Sequence, residues 1–141
     1  MEAQHSAARQ EVASWVLLVG SEPLAHETIT GALDGAGLGV IAGMATAETA
    51  FRAAETASGP PPTVLVTDTE MPMDGMDGFT LAGEARQRWP DLGVVYVTGR
   101  PSRLDGHVLG ARDRFLPKPV APIALVRAVR GLLAAPPRRA A

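Results

Sequence analysis

At 141 residues the chain has the length of one ordinary domain with a single core. Its formal net charge of −2 and scattered arginines provide no basic patch for nucleic acid or an anionic membrane. The absence of cysteine excludes a disulfide framework, a Cys-type zinc site and thiol catalysis, and the scattered His5, His26 and His107 read as surface residues rather than a metal cluster.

Residues 1–13 are polar and Ala-rich and read as a frayed lead-in without the pattern of a signal peptide. Trp15 to Val19 reads as a buried strand. It is followed by a helix from about Glu22 to Ala36, with Ser21 as a plausible N-cap, Pro23 in the first turn and glycines at its end. Leu38 to Met44 reads as a second strand, and a helix capped near Thr46 follows, with Ala50, Phe51 and Ala54 on one face. The Gly59–Pro62 break precedes a third strand, Thr63 to Thr67, which ends at Asp68. After the Met- and Gly-rich loop TEMPMDGMDG comes a helix from about Gly78 to Trp89.

Gly93 to Val97 reads as a fourth strand ending in Thr98-Gly99-Arg100. PSRLDGHVLG is too broken by glycine and proline for more than a short or irregular helix. A fifth strand, Arg114 to Leu116, ends in Pro117-Lys118-Pro119. The last helix runs from about Pro122 to Leu133, with Ile123, Val126, Val129 and Leu133 expected along its apolar stripe, and residues 135–141 form a tail. The whole therefore reads as one domain over 14–134. Alternating strands and helices imply a parallel sheet with helices on both faces. No apolar run approaches the roughly 18 residues of a membrane span, so a cytoplasmic protein with no membrane or nucleic-acid partner is expected.

In such a sheet the strand tips share one edge, the place where open α/β sheets put their chemistry. They bring together Asp68, Thr98 and Lys118. A carboxylate can accept a phosphoryl group as an acyl phosphate. The new oxygens then need donors, which a hydroxyl and an ammonium supply, and Mg²⁺ normally meets the remaining charge. Each residue alone has a plainer reading: Asp68 a turn residue, Thr98 a strand-end hydroxyl, Lys118 a solvated surface lysine. Lys118, however, is the only lysine beside 12 arginines. It is pinned between two prolines that restrict the backbone on either side. A compact ammonium suits a point contact to phosphate.

Four stretches, VLLVGSEP, VLVTDTEMPMDGMDG, VVYVTG and RFLPKP, resemble the receiver domain of two-component response regulators over about residues 14–134. The resemblance implies a flavodoxin-like (βα)5 three-layer sandwich with sheet order 2-1-3-4-5. It makes Asp68 the phosphoacceptor, Thr98 and Lys118 the phosphate-sensing pair, and Phe115 the match to the family's switch aromatic.

The sequence departs from that pattern where the family's first strand ends in two acidic, Mg²⁺-holding residues: here Gly20 and Ser21 stand, with Glu22 matching the acidic residue that often follows. Asp68 with a backbone carbonyl from Glu70 would hold Mg²⁺ weakly. Glu22 or Glu70 could swing a carboxylate in, or Arg100 could replace part of the metal's charge with a guanidinium fork. Glu70 and Arg100 could equally pair across the site mouth, the arrangement the sequence favours, and Lys118 is expected to pair with Asp68 at rest. Gly99 replaces the usual alanine after the threonine, the loop after Pro72 is slightly long, and the helix before the fifth strand is expected to be reduced.

The expected function is a single-domain receiver in phosphorelay signalling, not an enzyme beyond slow self-phosphorylation and autodephosphorylation. It would be loaded by a histidine kinase or phosphotransfer protein and act through protein contacts. The segment after the fourth strand and the last helix are candidate homodimer surfaces. Two alternatives stand beside it: a pseudo-receiver that binds partners without phosphorylation, and, more remotely, an aspartyl-phosphate phosphohydrolase suggested by Asp68-Thr69-Glu70. The short connections leave that phosphohydrolase no cap over a substrate.

Overall fold

The computed structural model describes residues 14–19, 23–43, 47–56, 61–69 and 77–134. Five strands, β1 (Trp15–Val19), β2 (Gly39–Gly43), β3 (Val64–Asp68), β4 (Gly93–Thr98) and β5 (Asp113–Pro117), form one sheet in the order β2-β1-β3-β4-β5. All four pairings are parallel. The helices are α1 (Pro23–Gly35), α2 (Ala47–Thr56), α3 (Gly78–Arg88) and α4 (Pro122–Ala134). The 2-1-3-4-5 order and the flavodoxin-like class are those read from the sequence.

The central strands β1, β3 and β4 are almost wholly apolar because both sheet faces are covered there, whereas the edge strand β5 carries Asp113 and Arg114 and is only partly buried. Side chains alternate between the faces, so each strand feeds two cores. Leu17, Val19, Leu65, Val94 and Tyr96 pack with Ala50, Phe51 and Ala54 of α2 and Leu81 and Ala85 of α3. Val16, Leu18, Val64, Val66, Val95 and Val97 pack on the other side with Ile29 and Leu33 of α1 and Leu125, Val129 and Leu132 of α4. These two cores are the two seams of the expected three-layer sandwich.

The helix ends follow local chemistry. Asp77 caps α3, its carboxylate accepting the Thr80 backbone N–H at 2.8 Å. Gly37 closes α1 at φ 82°, a conformation that glycine reaches without the Cβ clash. The caps read at Ser21 and Thr46, the lead-in 1–13, the loop 70–76 and the tail 135–141 lie outside the described residues.

Two expectations are corrected. The apolar stripe of α4 is Leu125, Val126, Val129 and Leu132, while Ile123 is 62% exposed. The spacing i, i+1, i+4, i+7 keeps these positions on one helical face, and Ile123, in the first turn, falls off it. The fifth strand also extends one residue further at each end, because Asp113 and Pro117 continue the register against Val94 and Thr98.

Between β4 and β5 the chain makes a single 3-10 turn, Pro101–Leu104, in place of a full helix. This matches the reduction expected from the glycines and proline of that stretch. Val108 is left 95% exposed there.

Candidate functional site

The register staggers the strand tips by one residue at a time. Asp68 ends β3 opposite Val97, Thr98 ends β4 one position further on, opposite Pro117, and Lys118 follows Pro117 directly. The Lys118 N–H donates to the Thr98 carbonyl at 2.8 Å and the Thr69 N–H to the Val97 carbonyl at 3.0 Å, extending the ladder to the edge of the site. Asp68, Thr69, Thr98, Gly99, Arg100 and Lys118 together line a cleft of about 200 Å³.

The sequence-derived triad therefore converges. Lys118 Nζ lies 2.7 Å from Asp68 Oδ1, the resting pair expected from the sequence. The carboxylate side chain is 11% exposed and the lysine 31%, so the pair sits at the floor of the cleft rather than in bulk water. Thr98 is 2% exposed. Its hydroxyl donates to the Arg100 carbonyl at 3.0 Å and accepts the Arg100 N–H at the same distance. Thr98 and Arg100 are thus latched to each other across Gly99. Thr69, a buried lining residue, does not stand out in the sequence; its one signal is its place directly after Asp68.

Phe115 sits half-buried in β5, in register with Tyr96 and on the opposite sheet face from Leu116. Beside Tyr96 lies an aromatic stack. The Phe79 ring centroid is 4.7 Å from Tyr96 and 3.6 Å from His107. Burial, reinforced by the Asp113 carboxylate, pushes the Tyr96 hydroxyl up to about 12, with the Arg86 guanidinium opposing the rise. The Asp77 carboxyl is lowered, first by the Thr80 backbone N–H and partly by His107.

The resemblance to receiver domains implies Mg²⁺ near Asp68. Among the described residues that line the cleft, Asp68 is the one carboxylate, with Lys118 and Arg100 also in the lining. Among the described residues no group of three or more His, Asp or Glu could hold a metal ion. Mg²⁺ needs near-octahedral oxygen ligation and a local excess of negative charge, so the described lining does not fit it. The other acidic candidates, Glu22 and Glu70, and the Gly20–Ser21 positions lie outside the described residues.

The family model for the response regulator receiver domain matches residues 16–130. No curated protein matches the chain. Among solved structures, a response regulator receiver protein from Sinorhizobium medicae is 27% identical, with TM-score 0.74 over 87% of this chain and 96% of its own. The receiver domain of the hybrid histidine kinase CckA is also 27% identical, with TM-score 0.65 over 84% of this chain and 99% of its own. The Vibrio cholerae chemotaxis protein CheY4, at 23% identity and TM-score 0.69 over 84% of this chain and 98% of its own, shares the fold.

Proposed function

Because the chain belongs to the response regulator receiver family, a family of signalling domains rather than classical enzymes, we propose that it is a phosphorylation-operated switch. It takes a phosphoryl group on Asp68 from a histidine kinase or phosphotransfer protein. The observation that carries this reading is the ion pair of Lys118 Nζ with Asp68 Oδ1 at 2.7 Å, with Thr98 on the neighbouring strand tip. A carboxylate oxygen of Asp68 attacks phosphorus and the donor leaves, giving an acyl phosphate. Lys118 then transfers from carboxylate to phosphoryl oxygen, and the Thr98 hydroxyl exchanges the Arg100 carbonyl for another.

The readout is a change in protein contacts around the 3-10 turn, β5 and α4, where Phe115 and any homodimer surface lie. A magnesium site would have to be completed by Glu22 or Glu70, and its binding is expected to be weak. A cytoplasmic location follows from the kinase partner, and no helix among the described residues is long and apolar enough to cross a membrane.

The test is phosphotransfer from a phosphorylated phosphotransfer protein or acetyl phosphate, with magnesium present, read by intact mass and by mapping the modified residue. The reading expects one phosphoryl group on Asp68 and none on Asp68→Asn. Absence of label on a folded protein, or label elsewhere, contradicts it. Absence of label would leave a pseudo-receiver that binds partners in one fixed form.

A further inference from the structure

We propose that the segment between the 3-10 turn and β5 is a strap held down by the His107 ring, and that loading Asp68 releases it. This rests on Asp68 being the phosphoryl acceptor. The His107 and Phe79 rings lie within 5° of parallel with their centroids 3.6 Å apart, and Phe79 also stacks on Tyr96 of β4 at 4.7 Å. Asp105, Gly106, Val108 and Leu109, on either side of His107, are exposed, Val108 to 95%. The imidazole therefore ties to α3 a stretch whose flanking residues face solvent.

The two rings are carried by different strand tips. Phe79 follows Gly78, whose N–H donates to the Thr69 carbonyl at 3.1 Å and whose lack of a Cβ lets the Asp68 carbonyl approach. The Phe79 backbone is thereby anchored to the tip of β3. His107 is anchored instead to the tip of β4. Thr98 and Arg100 are joined by two hydrogen bonds of 3.0 Å each, and the 3-10 turn starts at the next residue, Pro101. From that turn the Ser102 carbonyl accepts the Asp105 N–H at 3.1 Å and the Leu104 carbonyl accepts the His107 N–H at 3.0 Å. A run of backbone bonds thus leads from Thr98 to the residue that carries the imidazole.

A phosphoryl group on Asp68 draws the Thr98 hydroxyl away from the Arg100 carbonyl, so the β4 tip and the turn behind it shift against the β3 tip. Ring contact is short-ranged: a gap of about 0.5–1 Å forfeits a quarter to a half of a dispersion contact. The stack converts a small displacement between the tips into loss of the contact, and the strap lifts off one face of Phe79. The coupling is reciprocal, so a stack that favours the unloaded state opposes loading by the same factor. For an aromatic pair that factor is about 2- to 10-fold.

The test is a titration of the full chain with beryllofluoride, a phosphoryl mimic, with magnesium present, read by NMR. The His107 ring protons are identified by their loss in His107→Ala. In wild type they should start upfield, shielded by the Phe79 ring, and move towards free-histidine positions as beryllofluoride binds. In Asp68→Asn they should not move. His107→Ala should bind beryllofluoride about 2- to 10-fold more tightly than wild type, which loss of a merely stabilising side chain would not produce. His107→Phe keeps a ring on Phe79 and should return the affinity to near the wild-type value. Thr98 and Lys118 amides that shift while the His107 protons stay fixed would overturn the strap and leave Asp68 as acceptor. A His107→Ala affinity equal to or weaker than wild type would do the same. No response of any of these signals in a folded wild type would overturn both readings together.

Discussion

The backbone carbonyl of Asp68 faces Gly78 so closely that a Cβ at residue 78 would overlap its oxygen. The Gly78 N–H also donates to the Thr69 carbonyl at 3.1 Å. The start of α3 is thereby laid against the backbone of Asp68 itself.

Alanine at 78 should therefore destabilise the protein by about 1–3 kcal/mol, since overlap with backbone outweighs alanine's better helix propensity. Gly83, in the same helix with nothing within 4 Å of where a Cβ would stand, is the control. Gly83→Ala should raise stability by about 0.5–1 kcal/mol. Urea midpoints of the two variants should move in opposite directions.

Asp77 connects the same helix to pH. Its lowered pKa comes first from the Thr80 N–H that it caps. The stability it contributes is present above its unfolded value and lost as pH falls through the folded one. Asp77→Ala should cost about 1 kcal/mol near neutral pH. Asp77→Asn should keep most of the cap while flattening the acid limb of a stability–pH curve, as measured by urea melts across that range.

Tyr96 sets the alkaline side. Its hydroxyl is raised to about 12, above its unfolded value, so folding retains a proton that the unfolded chain releases. Stability is intact below the unfolded value of about 10 and falls as pH rises from there through the folded one. The chain has a single tyrosine, so tyrosinate absorbance reports this group alone and should titrate near 12 in the folded protein.

Arg112 is 8% exposed and donates to the Asp91 carbonyl at 2.9 Å and the Leu132 carbonyl at 2.8 Å, tying the turn before β4 to α4. Arg112→Ala leaves buried carbonyls unpaired and should cost about 2–4 kcal/mol. Arg52→Ala, which removes only the exposed pair with Glu48, should change stability by less than about 0.5 kcal/mol. Thermal melts of the two variants separate these roles.

What the sequence made legible follows from how each feature is encoded. Asp68, Thr98 and Lys118 could be placed together because each ends a continuous apolar run, and parallel strands must end on one edge. The two cores could be read because alternation along the strands and 3.6-residue periodicity in the helices are local. Arg112, and likewise Arg86, which donates to the Leu92 and Arg112 carbonyls and pairs with Asp113 at 2.8 Å, could not be distinguished from surface arginines. Their partners are largely backbone carbonyls, which carry no residue identity. The stack of Phe79, Tyr96 and His107 was hidden for a related reason: it joins three segments that meet only because the chain makes one short turn after β4. His107 is exposed, as its sequence context implies, but nothing local in the sequence points to its ring partner.

The most direct test of the account is a backbone amide NMR titration with beryllofluoride, a phosphoryl mimic, with magnesium present, on wild type and Asp68→Asn. If Asp68 is the acceptor and Lys118 and the Thr98–Arg100 latch respond to it, the amides of Thr98, Arg100 and Lys118 should shift together in wild type and stay fixed in Asp68→Asn. Unchanged amides in a folded wild type, or equal shifts in both proteins, would contradict it.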